Sequence, residues 1–265
     1  MIVNVLSNLK SLRGDITSGK HQLIKLGIPQ FDEHLGLRPG CMTTIAAAPG
    51  IGKSVLCIEL AKRYCMLNRP VLYFSYEMSS ETIAARLLSN YSGQFSVADI
   101  FDNQVGSVTF DEFSQLEYLK WFNVCCVSDI KQTVQCIDEF MRLNPESCPL
   151  VVIDYLQYIA ATGGSEYEQL NTKVSQLKDV MMKYNVPMLV ISNLKQSDLK
   201  SGGTLDQSSF KGSSSIIYTT DNAWMLSKPK NSDVVTLSVV KSRTGSTQTE
   251  LELVVNGKYN TVEWL

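Results

Sequence analysis

The sequence lacks the residue spacings of a metal or disulfide framework. Its seven cysteines (41, 57, 65, 125, 126, 136 and 148) are odd in number, form no C-x-x-C pair and fall mostly inside apolar segments. That pattern fits reduced, buried thiols in a cytosolic protein. Histidine is scarce: only His21 and His34 are present, and with the cysteine spacing this disfavours a zinc site. No apolar run approaches the ~20 residues of a membrane span. No signal-peptide pattern opens the chain, because the charged residues Lys10, Arg13 and Asp15 follow too soon. Basic charge is not in excess: 24 Lys and Arg stand against 26 Asp and Glu, a net charge of −2. This argues against a coat that grips nucleic acid by bulk charge but does not exclude a few lysines focused in one channel. What remains is an ordinary globular composition, 44% apolar and 19% charged over 265 residues. It can bury a full core as one large α/β domain or two small ones.

The most informative stretch is Ala47-Ala48-Pro49-Gly50-Ile51-Gly52-Lys53-Ser54. It lies between an apolar β-like run, Met42 to Ala47, and a helical pattern that starts near Gly52. This is the strand–loop–helix setting of a phosphate-binding P-loop. Glycines allow a tight turn with inward N–H groups, and the helix adds its positive N-terminal end. Lys53 is placed to reach β- and γ-phosphates, and the Ser54 hydroxyl to bind Mg²⁺. The general pattern G-x-x-x-x-G-K-[ST] begins with glycine, where this chain has Ala47.

The remaining chain alternates strand and helix signals. Leu56, Leu60, Tyr64 and Leu67 share a helical face. Val71 to Ser75 is a short β-rich run; Ser79 caps a helix with Glu81 in its first turn. Residues 93–120 give a weak pattern, with a short helix expected near 110–120. Phe122 to Val127 reads as a strand, Asp129 as a helix cap, and Leu150 to Asp154 as the most strand-like run in the chain. A long amphipathic helix carries Leu170, Val174, Leu177, Met181 and Tyr184, followed by a strand at 187–192. Uniformly apolar strands joined by helices imply a parallel sheet covered on both faces. Beyond a polar segment, 195–215, runs at 222–227, 234–240 and 249–255 are expected to extend the sheet antiparallel.

Three residues accompany the P-loop if the chain is an ATPase. Asp154 ends an apolar strand, where a carboxylate holds Mg²⁺ or its water. Glu77 follows the strand 71–75, and ligands of parallel sheets sit at the carboxyl ends of strands. It is a candidate to polarise an attacking water, or an acid complementing a helix dipole. Asn193 follows the strand 187–192 and is a candidate γ-phosphate sensor, or a turn residue.

Phe74-Ser75-Tyr76-Glu77-Met78-Ser79 resembles the segment of DnaB-type replicative helicases that carries the catalytic glutamate. Val152-Ile153-Asp154-Tyr155-Leu156-Gln157 resembles their Walker B segment, and the P-loop with alanine first matches that family's variant. Gly27-Ile28-Pro29-Gln30-Phe31-Asp32 is similar to the lead-in of the ATPase domain, and Lys241-Ser242-Arg243-Thr244-Gly245 to its late basic segment. The likeness extends to phage primase-helicases and the mitochondrial helicase Twinkle. It implies a RecA-like P-loop NTPase fold: a mostly parallel central sheet flanked by helices, with an antiparallel C-terminal extension. The expected division is a linker-like helix and arm at 1–24 and the ATPase domain at 25–265.

The resemblance further implies a hexameric ring that hydrolyses ATP or another nucleoside triphosphate with Mg²⁺ at subunit interfaces and moves along single-stranded DNA. Glu77 is then the base, Ser54 and Asp154 the Mg²⁺ ligands, and Lys53 the phosphate bridge. Ala48, Pro49, Gly50, Ile51, Gly52, Lys53 and Ser54 form the nucleotide cradle. Lys241 and Arg243 enter the neighbouring subunit's site. Asn193 stands where the family usually has glutamine. The family's central loops match residues 160–168 and 195–215. The first holds Glu166 and Glu168 and no cation. The second supplies the expected DNA contacts Lys195, Lys200, Lys211, Gly212, Ser213 and Ser214. Ile2, Val5, Leu6, Leu9 and Leu12 have helical spacing, for a helix that docks either on an adjacent subunit or on its own core. Primase or a helicase loader is a further expected partner, and the expected setting is the cytoplasm of a bacterium, with the gene bacterial, phage or plasmid-borne. Two other functions fit the P-loop: a RecA/RadA-type recombination or repair ATPase, and a non-motor ATP-binding assembly factor.

Overall fold

The structure, a computed structural model, describes residues 5–145, 147–193, 219–229, 232–243, 245 and 247–265. Helix α1 (Val5–Thr17) and the short α2 (Pro29–His34) precede the first strand, β1 (Met42–Ala47). Then α3 (Lys53–Met66), β2 (Val71–Ser75) and α4 (Ser80–Ser92) follow. Two short helices, α5 (Val97–Phe101) and α6 (Ser107–Ser114), lead to β3 (Phe122–Cys125) and α7 (Ile130–Leu143). The parallel part continues with β4 (Leu150–Asp154), α8 (Glu166–Tyr184) and β5 (Met188–Asn193). The last strands are β6 (Asn222–Ser227), β7 (Val234–Ser242), β8 (Glu250–Asn256) and β9 (Thr261–Trp264).

These nine strands form one sheet, in the order β3-β2-β4-β5-β1-β6-β7-β8-β9. Along each inner strand alternate residues enter opposite cores. Val71 and Tyr73, Leu150 and Val152, and Leu189 and Ile191 pack with Leu56, Leu60 and Tyr64 of α3. Their neighbours Leu72 and Phe74, Val151 and Ile153, and Met188 and Val190 pack with Ile137 of α7 and Val174 and Leu177 of α8. Both faces are thus covered, which is why these strands are apolar throughout. Asp154 continues the Leu150–Val152 alternation and therefore falls on the α3 side. Caps set the helix starts: Ser79 accepts from the Thr82 N–H, and Asp129 from the Gln132 N–H. Each such cap contributes ~1 kcal/mol.

The structure departs from the sequence expectations in five places and bears on the alternative left open for α1. β6 is parallel to β1 (Thr43 opposite Asn222), so the antiparallel extension begins only at β7. β9 was not anticipated; it is four residues long and pairs with β8 across a tight turn. Within 93–120 the helices are α5 and α6, followed by a 3₁₀ turn at Glu117–Trp121, in place of one helix at 110–120. Glu166 and Glu168 lie in the first turn of α8, not in a central loop; Glu168 closes a capping box with Ser165. Only Cys57 and Cys65 are buried among the seven cysteines, all free thiols, and Cys126 is exposed. In α1, Leu9 is 55% and Leu12 41% exposed, so this helix does not bury that face in its own core. Ile2 lies outside the described residues.

Candidate functional site

Parallel pairing brings the ends of four strands to one edge of the sheet. Ala47 of β1 stands opposite Asn193 of β5, and Ser75 of β2 opposite Asp154 of β4. The loop after β1, the turn after β2 carrying Glu77, Asp154 itself and Asn193 therefore converge without help from long loops. A cavity of about 400 Å³ opens there, lined by Pro49, Gly50, Gly52, Lys53, Ser54, Glu77, Arg86, Tyr155 and Asn193 among others. The expected residues of the cradle, the base, the acid and the sensor are thus neighbours in space.

The loop's shape depends on its glycines. Gly50 has φ +80° and Gly52, the N-terminal cap of α3, has φ +106°. A Cβ on Gly52 would come within 2.5 Å of Val255 Cγ1 in β8. Glycine at 52 thus serves both the backbone conformation and the close approach of the C-terminal strands. Ile51 turns away and packs against the core on the α3 side. Lys53 is buried, and its Nζ donates to the carbonyls of Ala47 and Ala48, each at 3.0 Å. Burial pushes its pKa down from 10.5 to about 8, against the opposing pull of Asp154, Cys57 and Glu77.

Ser54 Oγ donates to Asp154 Oδ1 at 3.1 Å, and the Tyr73 hydroxyl donates to Asp154 Oδ2 at 2.5 Å. Burial pushes the Asp154 carboxyl up, while the bonds from Tyr73 and Ser54 and the charge of Arg86 hold it down and Glu77 opposes them. The hydroxyl and carboxylate are hard oxygen donors of the kind Mg²⁺ takes, so this pair fits that ion. Glu77 is exposed at the cavity mouth and Asn193 is half-buried. Gln157 Nε2 donates to Ser192 Oγ at 2.9 Å, bracing the segment before Asn193.

Two participants escaped the sequence reading. Tyr73 is fully buried and carries the hydroxyl bound to Asp154, but in sequence it is one more aromatic residue in a β-rich run. Arg86 lies on α4, and its Nε is buried with no hydrogen-bond partner among the described residues. A buried unpaired guanidinium N–H beside a P-loop is a ready partner for an anion. The available signal was a lone cation one position before Leu87 in the apolar stripe Ile83-Leu87-Tyr91.

Lys241 and Arg243 are not in this cavity. Lys241 lies near the end of β7 and Arg243 just beyond it; Ser242 faces Asn222 at the start of β6, beside the start of β1. Five residues of β1 separate that edge from the loop, about 16 Å at the usual strand rise. That is beyond the reach of an arginine side chain within one subunit. There Lys241 Nζ donates to the Thr220 carbonyl at 2.6 Å and Arg243 Nη1 to Asp221 Oδ1 at 2.7 Å. Lys195, Lys200, Lys211, Gly212, Ser213 and Ser214 lie outside the described residues. No helix among those described is long and apolar enough to cross a membrane.

Comparison with known proteins shows the family and the fold. Residues 24–263 match the family model of the DnaB-like helicase C-terminal domain. The replicative DNA helicase DnaB of Leifsonia xyli is 25% identical over 262 residues, covering 89% of this chain and 55% of that protein. A probable plasmid replicative DNA helicase of Chlamydia trachomatis is 24% identical over 268 residues, covering 92% and 56%. The chain thus spans about half the length of these relatives. In fold it resembles the ATPase domain of G40P, with a TM-score of 0.83 at 18% identity over 100% of this chain and 99% of that one. A DnaB-like replicative helicase studied with its interactions with primase gives 0.81 at 18% identity, covering 99% and 67%. With its P-loop, its strand-end acid and nearly its whole length matched, the chain belongs to the DnaB-like helicase C-terminal domain family.

Proposed function

We propose that this chain is the ATP-hydrolysing motor of a replicative DNA helicase, working at the interfaces of a homohexameric ring on single-stranded DNA. The observation that carries this reading is the convergence of Lys53, Ser54, Glu77, Arg86 and Asn193 on one cavity of about 400 Å³, with Asp154 buried behind it and bonded to Ser54, and Arg243 on the opposite edge of the sheet. Besides Lys53 and Arg86 in the cavity, the chain carries a further guanidinium, Arg243, out of reach of its own cavity, a placement that suits a cation supplied to a neighbour's site.

The chemistry then divides as follows. Backbone N–H groups of residues 48–54 and the start of α3 hold the triphosphate, with Lys53 released from its two carbonyls to the β- and γ-phosphates. Ser54, and Asp154 directly or through water, would hold Mg²⁺, which would supply positive charge to offset that of the phosphates. Glu77 orients the attacking water and takes its proton; its exposure at the mouth leaves room for that water. Arg86 and Asn193 face the γ-phosphate. Arg243 of the next subunit, with Lys241, stabilises the charge that develops as the bond to the leaving diphosphate breaks. Such a finger is worth ~10³–10⁵ in rate where it has been removed and restored. Lys195, Lys200 and Lys211, with Gly212 to Ser214, are the proposed contacts to DNA phosphates. A primase or loader is a further proposed partner, as are the apolar residues of α1 for docking on an adjacent subunit. Family membership puts this motor reading ahead of a RecA/RadA-type filament or a non-motor switch.

Electron microscopy of the chain with a slowly hydrolysed ATP analogue and single-stranded DNA, together with turnover assays, tests the proposal. Six-membered rings with DNA-stimulated hydrolysis are expected. Filaments would favour the recombinase reading, and nucleotide-bound monomers without turnover the switch.

A further inference from the structure

Asp221 has no task in the mechanism above. It precedes β6 at the edge opposite the cavity, and it is 2% exposed. Its Oδ2 accepts the Met42 N–H at 3.0 Å, and its own N–H donates to the Met42 carbonyl at 3.0 Å. Oδ1 accepts from Arg243 Nη1 at 2.7 Å and lies 3.4 Å from Lys178 Nζ. Lys178 also donates to the Thr219 carbonyl at 2.9 Å.

A buried carboxylate needs partners, and the Met42 N–H and Lys178 already supply them. Yet its shortest contact goes to Arg243, whose side chain is 64% exposed. An arginine on the surface forfeits ~2 kcal/mol of rotamer entropy when it is ordered, and exposed ion pairs seldom hold it in one pose. A carboxylate fixed to the backbone at the head of β1 is a different partner, because it cannot move with the side chain. Among the described residues one Nη–H is committed, inward to Asp221, and the exposed side of the fork can meet an acceptor outside the chain.

We infer that Asp221 is the positioning residue of Arg243: it aims the guanidinium at the neighbouring subunit's triphosphate and touches no phosphate itself. This rests on the reading of Arg243 as a cation acting in trans. Pre-set geometry of this kind matters, since a displacement of ~1 Å in a reacting group can cost up to ~10²-fold in rate.

The test is to sort variants by complementation, using turnover of mixed full-length chains with ATP, Mg²⁺ and single-stranded DNA. Glu77→Gln removes the base side of an interface and Arg243→Ala the finger side, so mixing the two restores interfaces with both parts intact. Asp221→Asn keeps the size and an acceptor for the Met42 N–H. It is expected to lower kcat roughly ten- to a hundredfold with KM and single-chain nucleotide affinity within about twofold. It should regain turnover when mixed with Glu77→Gln, gain nothing with Arg243→Ala, and cost nothing further when added to Arg243→Ala. A purely structural role would not sort in this way. Wild-type turnover, complementation of Arg243→Ala, or additive loss in the double variant would overturn the inference while leaving the trans reading intact. If Glu77→Gln and Arg243→Ala do not complement each other, the trans reading fails and the inference falls with it. Should Asp221→Asn not fold, Asp221→Ser, which keeps a hydroxyl for Met42, is sorted by the same criteria.

Discussion

Raising the pH should weaken triphosphate binding through one side chain, Lys53. Burial brings its pKa from 10.5 to about 8 in the free protein. At that value about a tenth of Lys53 is neutral near pH 7, half near pH 8 and nine-tenths near pH 9. A triphosphate against Nζ favours the ammonium and pushes the pKa back up, so binding takes a proton from solution. The sign is fixed: a lysine depressed when free and restored when bound loses ligand affinity as pH rises through the free-state value. Uptake of about half a proton is expected near pH 8. Above that, affinity should fall by up to ~1.4 kcal/mol per pH unit until the bound-state pKa is reached. Cys57, the thiol beside Lys53, is pushed well up by burial and does not titrate in this window. Calorimetry in two buffers of different ionisation enthalpy reads the uptake directly, and Lys53→Met provides the baseline. Uptake that is zero at both pH 8 and pH 9, or equal in Lys53→Met, would refute the assignment of Lys53 to the phosphates.

Further outcomes follow from the same geometry. Gly52→Ala meets both a positive φ and Val255 Cγ1 at 2.5 Å; it should destabilise the fold by ~1–3 kcal/mol in denaturant titration and abolish nucleotide binding. Tyr73→Phe leaves a buried Asp154 oxygen without its donor, costing ~1–3 kcal/mol. It also raises the Asp154 pKa further, so Mg²⁺-dependent binding should fail earlier as pH is lowered, which a fluorescent-nucleotide titration measures. Arg86→Ala removes the unpaired buried N–H group and should weaken ATP roughly tenfold more than ADP in competition binding, as expected for a charge-assisted bond to the terminal phosphate. Glu77→Gln should bind ATP as the wild type does and lose turnover in a phosphate-release assay.

The strands were legible because a sheet covered on both faces demands unbroken apolar runs, and Val71 to Ser75 and Leu150 to Asp154 obey that demand. The P-loop, Asp154 and Glu77 were legible because their roles fix residue type and position relative to a strand end. Tyr73 was not, since its function arises from pairing: β2 and β4 in register put Ser75 opposite Asp154, and Tyr73 two residues back on the same face. Arg86 was hidden similarly, because only the docking of α4 decides which side of the helix looks into the cavity. The pairing of β6 with β1 joins segments about 180 residues apart, for which local pattern holds no information. β9 is four residues long and half polar, too short for alternation to declare it. By contrast, the capping box of Ser96 and Asp99 at the start of α5 is a local signal that the sequence carries within the weak pattern of 93–120.

The arrangement of the cavity is tested most directly by a crystal structure of the chain with a nonhydrolysable ATP analogue and Mg²⁺. The terminal phosphate is expected against Lys53 and Arg86, with the metal beside Ser54 and Asp154 and a water between Glu77 and the phosphorus. A nucleotide bound at any other place, or a metal remote from those two residues, would contradict the account.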